Sequence, residues 1–193
     1  MQLIEPVTLV NAHVRLEPLG PEHAADLAEA AAGLAAAWYT AVPTPDAVPE
    51  EIANRLAQRD AGTMNPWAVV TPGGTAVGMT TFCAIDQPNR RVEIGYTWLA
   101  LRVQRTAINS AAKLLLLGHA FDECDVIAVE FRTHWHNRQS RAAIERLGAR
   151  QDGVLRNHRI GPDGLLRDTV VYSILPGEWP SVQRGLTARL DLD

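Results

Sequence analysis

Cysteine is scarce in this chain. Cys83 and Cys124 are the two in 193 residues, far apart and in no Cys-x-x-Cys pair, so the plain reading is a reduced, cytoplasmic protein. Positive charge is not in excess either: the net charge of −4 argues against a general nucleic-acid surface. No apolar run approaches the length that spans a membrane. The opening MQLIEPVTLVNAHVRLEPL lacks a basic region followed by an apolar core, which reads as no signal peptide. Repeats, low-complexity segments and evident linkers are absent. With 47% hydrophobic residues, enough for a packed core, the expectation is a single domain over 1–193 with a C-terminal tail at 176–193.

What is present is organised around Arg91–Leu147. Arg91–Leu99 is β-branched and aromatic, as a strand should be. Leu101–Ile108 has no clean period. Asn109 is placed to cap a helix running to about Phe121, with Ala111, Ala112, Leu114–Leu117 and Ala120 apolar. Val126–Thr133 alternates as a strand. Strand, helix and strand of these lengths most simply form a right-handed parallel crossover. Ligands of open α/β sheets sit outside the carboxyl ends of the strands, here Trp98–Asn109 together with Thr133–Ser140.

The flanking chain fits round this unit. Val14–Leu16 reads as a strand. Helices start at Gly20-Pro21-Glu22 and Pro49-Glu50-Glu51, with a further helical stretch from Leu34 towards Trp38. Trp67–Val70 and Thr75–Ile85 read as strands round the turn Pro72-Gly73-Gly74, and Asp86–Asn89 turns into Arg91–Leu99. Asn137 can cap a helix Arg138–Leu147 that stops at Gly148. Gly153–Ile160 and Leu166–Leu175 read as a hairpin, and Val182–Leu190 as a last short helix. The fold class expected is mixed α/β, with the order β-α-α-β-β-β-α-β-α-β-β. Its central sheet is mostly antiparallel, with one parallel crossover.

This order, with Glu93-Ile94-Gly95-Tyr96, Gln104–Asn109, Ala120-Phe121, Asn137-x-x-Ser140 and Ala143–Ala149, resembles the GNAT superfamily of N-acetyltransferases. The likeness is to the branch that acetylates ribosomal-protein N-termini. The family's phosphate loop is Gln/Arg-x-x-Gly-x-Gly/Ala. Here Gln104 fits, whereas Ala107 and Asn109 stand where the family has small residues, glycine first. The resemblance implies acetyl-CoA, or another acyl-CoA, as co-substrate. It would be held by Trp98, Leu99, Gln104, Arg105, Thr106, Ala107, Ile108, Asn109 and Asn137. It also implies direct transfer to a primary amine, either a protein N-terminus or a small molecule.

Residue types suggest the remaining roles. Glu93 is a candidate general base for an ammonium group; the plain alternative is a surface carboxylate paired with Arg91 or Arg132. The resemblance implies that Ser140, one helical turn past Asn137, sits near the coenzyme thiol, which makes it a candidate donor to the leaving thiolate; relatives outside this branch use a tyrosine there, and none stands between Tyr96 and Tyr172. Asn137 reads equally as a simple N-cap. Trp38, Tyr39, Tyr96 and His134 are candidate acceptor contacts. The acceptor is expected on the side of Trp38–Pro45, Asp86–Arg90 and Gly161–Gly164. His134-Trp135-His136 offers two imidazoles on one face but no third ligand, so no metal is expected. No membrane or nucleic-acid partner is expected, and a homodimer is left open. The altered loop motivates a second reading: a coenzyme-binding or regulatory protein with reduced catalysis on the same fold.

Overall fold

The computed structural model describes residues 2–34, 39, 42–161 and 163–191. The elements in chain order are β1 (Leu9–Val10), β2 (Arg15–Pro18), α1 (Ala24–Ala31), α2 (Val48–Asp60), β3 (Met64–Val70), β4 (Ala76–Asp86) and β5 (Arg91–Leu99). They continue with α3 (Ala107–Gly118), β6 (Ala128–His134), α4 (Arg138–Leu147), β7 (Arg150–Ile160), β8 (Leu166–Ile174) and α5 (Trp179–Leu190). The expected mixed α/β order is therefore present, with the two-residue β1 added at the front. The last helix starts at Trp179 rather than Val182, because Pro180 suits a first turn. The helical stretch expected towards Trp38 lies outside the described residues.

One eight-stranded sheet runs β1-β2-β3-β4-β5-β6-β8-β7. β5 and β6 are parallel, joined through α3, and every other neighbouring pair is antiparallel. β3 is buried along its whole length, as a strand covered on both faces must be. The core gathers Leu16, Leu27, Ile52, Trp67, Met79 and Phe82 with Leu116, Leu117, Tyr172 and Leu186. α5 is tied over the C-terminal half by Trp179 Nε1 donating to Asp122 at 2.9 Å and by Arg189 donating to the Arg146 carbonyl at 3.0 Å.

Two features of β5 set the shape of the sheet's centre. Its pairing with β6 covers Arg91–Glu93 against Ala128–Glu130 and stops there, although β5 runs on to Leu99 and β6 to His134. Past Glu93 the two strands part. Its register with β4 also slips: Thr81 faces Gly95, but Met79 faces Trp98. β5 thus carries one extra residue, a bulge, with Tyr96 at φ +49°. Beyond the bulge β4 comes close to β5, where a Cβ on Gly78 would lie 2.1 Å from the Trp98 carbonyl oxygen, so this approach requires glycine.

Candidate active site

The gap between β5 and β6 opens at the carboxyl ends of both strands, the end that the sequence pattern marks. Trp98 and Leu99 form its β5 wall and are buried. The Trp98 indole N–H is enclosed and meets no hydrogen-bond acceptor among the described residues. Leu101–Val103 then makes a short 3-10 turn. Gln104 Nε2 donates back to the Leu99 carbonyl at 3.0 Å, which holds the loop against the strand end. Arg105 takes a left-handed φ of +63°.

The cap of α3 is not the one expected. Thr106 is the N-cap; its hydroxyl donates to the Val103 carbonyl at 2.7 Å and accepts from Ile108 N at 3.4 Å. Asn109 lies inside the first turn and is not the cap. The helix also ends differently: after Gly118 it widens into a π-helical turn, His119–Glu123. Ala107 and Asn109 are both absent from the positive-φ residues. Replacing glycine at those places therefore costs no backbone strain, and the first-turn N–H groups of α3 remain at the mouth of the gap.

On the other wall, Asn137 Oδ1 accepts from Ser140 N at 3.0 Å and caps α4. Gly148, at φ +101°, ends that helix. Ser140 is half-buried in the first turn.

Glu93 sits at the point where the strands separate. Its side chain is 12% exposed, and Arg132 Nε lies 3.5 Å from Oε2. Gly95 leaves the space it fills, since a Cβ there would meet Glu93 Oε1 at 3.0 Å. Burial raises the Glu93 carboxyl above the ordinary range, against the lowering effect of Arg132. Arg132 also donates to Glu130 at 2.8 Å, and Glu130 in turn pairs with Arg91. Of the two partners expected for Glu93, Arg132 is therefore close and Arg91 is bound to Glu130.

His134 and Tyr39 come together, with ring centroids 6.1 Å apart. The His136 ring is 5.5 Å from His134. His134 Nδ1 accepts from the His136 backbone N–H at 3.0 Å. A neutral ring then carries its proton on Nε2, which leaves no free acceptor nitrogen. Burial lowers the His134 pKa, with Arg167 and His136 adding to it. Tyr96 is half-exposed beside Arg55, whose guanidinium is 5.5 Å from the ring centre. Trp38 lies outside the described residues. Among the described residues no group of three or more His, Cys, Asp or Glu is placed to hold a metal ion. None of their helices is long and apolar enough to cross a membrane.

Arg55 and Lys113, both buried beside β5, belong to no sequence motif. Lys113 did carry a signal, as the one charged residue in the run Ala111–Leu117.

A mixed sheet parted at its parallel pair, with a helix N-terminus at the mouth of the gap, is an α/β arrangement suited to holding an anionic ligand at the strand ends. Residues 13–150 match the family model described as Acetyltransferase (GNAT) domain. The chain belongs to the GNAT acetyltransferase family. It is 36% identical over 106 residues to a Bacillus subtilis (strain 168) protein named "Putative ribosomal N-acetyltransferase YdaF". That alignment covers 55% of this chain and 57% of the relative, so the chain spans little more than half the length of the curated relative it matches. A GCN5-related N-acetyltransferase from Brucella melitensis superposes with a TM-score of 0.85 at 28% identity, covering 96% of this chain and 86% of the other. Mycobacterium smegmatis RimJ in complex with CoA-disulfide has the same fold, with a TM-score of 0.82 at 23% identity, covering 98% and 97%.

Proposed function

We propose that the protein is an acyl-CoA-dependent N-acetyltransferase that passes an acetyl group directly to a primary amine. The observation that carries this reading is the parting of β5 from β6 just past Glu93, in a chain that belongs to the GNAT family. Acetyl-CoA supplies the acyl group as a thioester. The first turn of α3, with Gln104–Asn109, would hold its phosphates, and Trp98, Leu99 and Asn137 would line its arm. The Asn137 oxygen is engaged in capping, so its amide N–H groups are what it can offer. Backbone N–H groups on the unpaired edge of β5 are suited to polarise a carbonyl. Glu93 takes the proton from the ammonium, helped by a carboxyl already shifted upward by burial. Ser140 donates a hydrogen bond to the leaving thiolate. Tyr39, Tyr96 and His134 contact the acceptor. The Bacillus relative is named for ribosomal N-acetylation, which favours an amine of a ribosomal protein as acceptor, its N-terminus first, with small-molecule amines as the other class.

The test is acetyl-CoA calorimetry followed by thiol release on a panel of N-terminal peptides, polyamines and amino acids. Ser140→Ala should lower kcat by about tenfold to a thousandfold on the amine that turns over. Glu93→Gln should depress the acidic limb of the rate profile. Full kcat in Ser140→Ala would pass the thiolate's hydrogen bond to water, and an unchanged acidic limb would move the base elsewhere. Coenzyme binding without turnover on any amine would favour a binding protein of reduced chemistry.

A further inference from the structure

We propose that Arg55 and Lys113 are positioning residues that clamp the β5 bulge from the two faces of the sheet and set how far β5 stands from β6. The inference rests on the acyl-CoA reading for its functional meaning.

The bulge leaves the β4–β5 ladder without a paired residue at Thr80, since the register passes from Thr81↔Gly95 to Met79↔Trp98. Side chains replace the missing ladder step. On one face, Thr80 Oγ1 and Thr97 Oγ1 are 2.8 Å apart, and Lys113 Nζ donates to Thr97 at 2.9 Å and to Thr80 at 3.4 Å. On the other, Arg55 Nη1 donates to Thr81 Oγ1 at 2.7 Å, and both terminal nitrogens reach the Tyr96 carbonyl at 3.4 Å. Consecutive threonines of one strand therefore anchor two cations, one from α2 and one from α3. Each cation also holds the bulged strand, at Tyr96 or at Thr97.

Both groups are placed at a cost. Arg55 is 2% exposed and Lys113 6%. Arg55 has Glu51 at 2.6 Å to offset its charge. The hydrogen-bond partners of Lys113 are two neutral hydroxyls, and burial lowers its pKa from 10.5 to about 7. An apolar side chain of equal volume would pack there with less penalty. Lys113 is also the sole lysine of the chain; every other cation among its 18 Lys and Arg is arginine. A lone, costly amine reaching two hydroxyls at the strand break is explained by what it holds. What it holds is the stretch of β5 whose outer edge pairs with no strand among the described residues.

The experiment uses the full chain with Lys113→Met, Thr97→Val and the double variant, then Arg55→Met and Arg55→Lys. Amide exchange in the ligand-free protein should quicken by about tenfold at 96–99 in Lys113→Met while β3 stays protected. Acetyl-CoA KM should rise about tenfold or more, with the acceptor KM within twofold. The double variant should be no worse than either single, because Lys113 acts through Thr97. Arg55→Lys, which keeps a donor for Thr81, should recover part of the loss of Arg55→Met. Unchanged exchange at 96–99 in both Lys113→Met and Thr97→Val would overturn the clamp, as would additive losses in the double variant. Failure of the unmodified protein to bind acetyl-CoA would overturn the functional reading alone, since exchange is read without ligand.

Discussion

Glu93 and Lys113 are buried ionisable groups with opposite demands on pH. The folded protein holds a proton on Glu93 to higher pH than the unfolded chain does. As pH rises through the ordinary carboxylate range towards the raised value, this group therefore subtracts stability. Glu93→Gln should accordingly raise Tm at pH 8, with the gain vanishing near pH 4. A scanning-fluorimetry series across pH checks this, and a lower Tm at pH 8 would mean that the Arg132 contact outweighs burial. Lys113 runs the other way. Its contribution is whole above pH 10.5 and is lost as pH falls through about 7. Lysine labelled with ¹⁵N gives a single side-chain signal in this chain, and it should titrate with a midpoint near 7. A midpoint near the ordinary value would place the amine in water. Neither shift is legible in the sequence. Alternation in β5 says that Glu93 and Val92 face opposite sides, but not that Gly95 clears a pocket for the carboxylate.

At the scale of elements, residue type located the helix starts but did not choose between neighbours. Asn109 and Thr106 are both able to cap, and composition gives no reason to prefer the threonine. The choice is made by Gln104 binding the Leu99 carbonyl, which brings Thr106 over Val103. Asn137 was readable because the chain between β6 and α4 is short and Asn137 is its sole residue of capping type next to the helix. We expect Thr106→Val to cost about 1 kcal/mol in denaturant unfolding, and Asn109→Ala to cost a few tenths or nothing. Equal costs would restore Asn109 to the cap. Ala107→Phe should leave the fold intact and weaken acetyl-CoA binding, because it adds bulk to the first helical residue at the mouth of the gap. An unchanged Kd by calorimetry would place the phosphates elsewhere. The bulge in β5 was not legible at all: its left-handed residue is Tyr96, a type that gives no warning of positive φ.

For the whole molecule, element order and the parallel crossover could be read from hydrophobic period and turn residues, whereas the seat of β8 between β6 and β7 could not. The separation of β5 from β6 could not be read, because it depends on pairs that fail to form. A ligand that binds only the folded chain raises its melting temperature. Millimolar acetyl-CoA should therefore raise Tm by several degrees, and the shift should shrink in Ala107→Phe.

The same separation bears on how the chain folds. β3, β4 and β5 follow one another through short turns, and β8 returns beside β6 with β7 outside it. The two groups of strands meet in the ladder at Arg91–Glu93, with the Ile127 N–H donating to the Arg90 carbonyl at 2.8 Å beside it. Local hairpins close at small entropic cost, whereas the parallel pair must wait for α3 to be traversed. During synthesis the first group can therefore assemble while β6 is still to come. The three-pair seam would be the last ladder to gain protection in pulse-labelled refolding and the first to lose it under load.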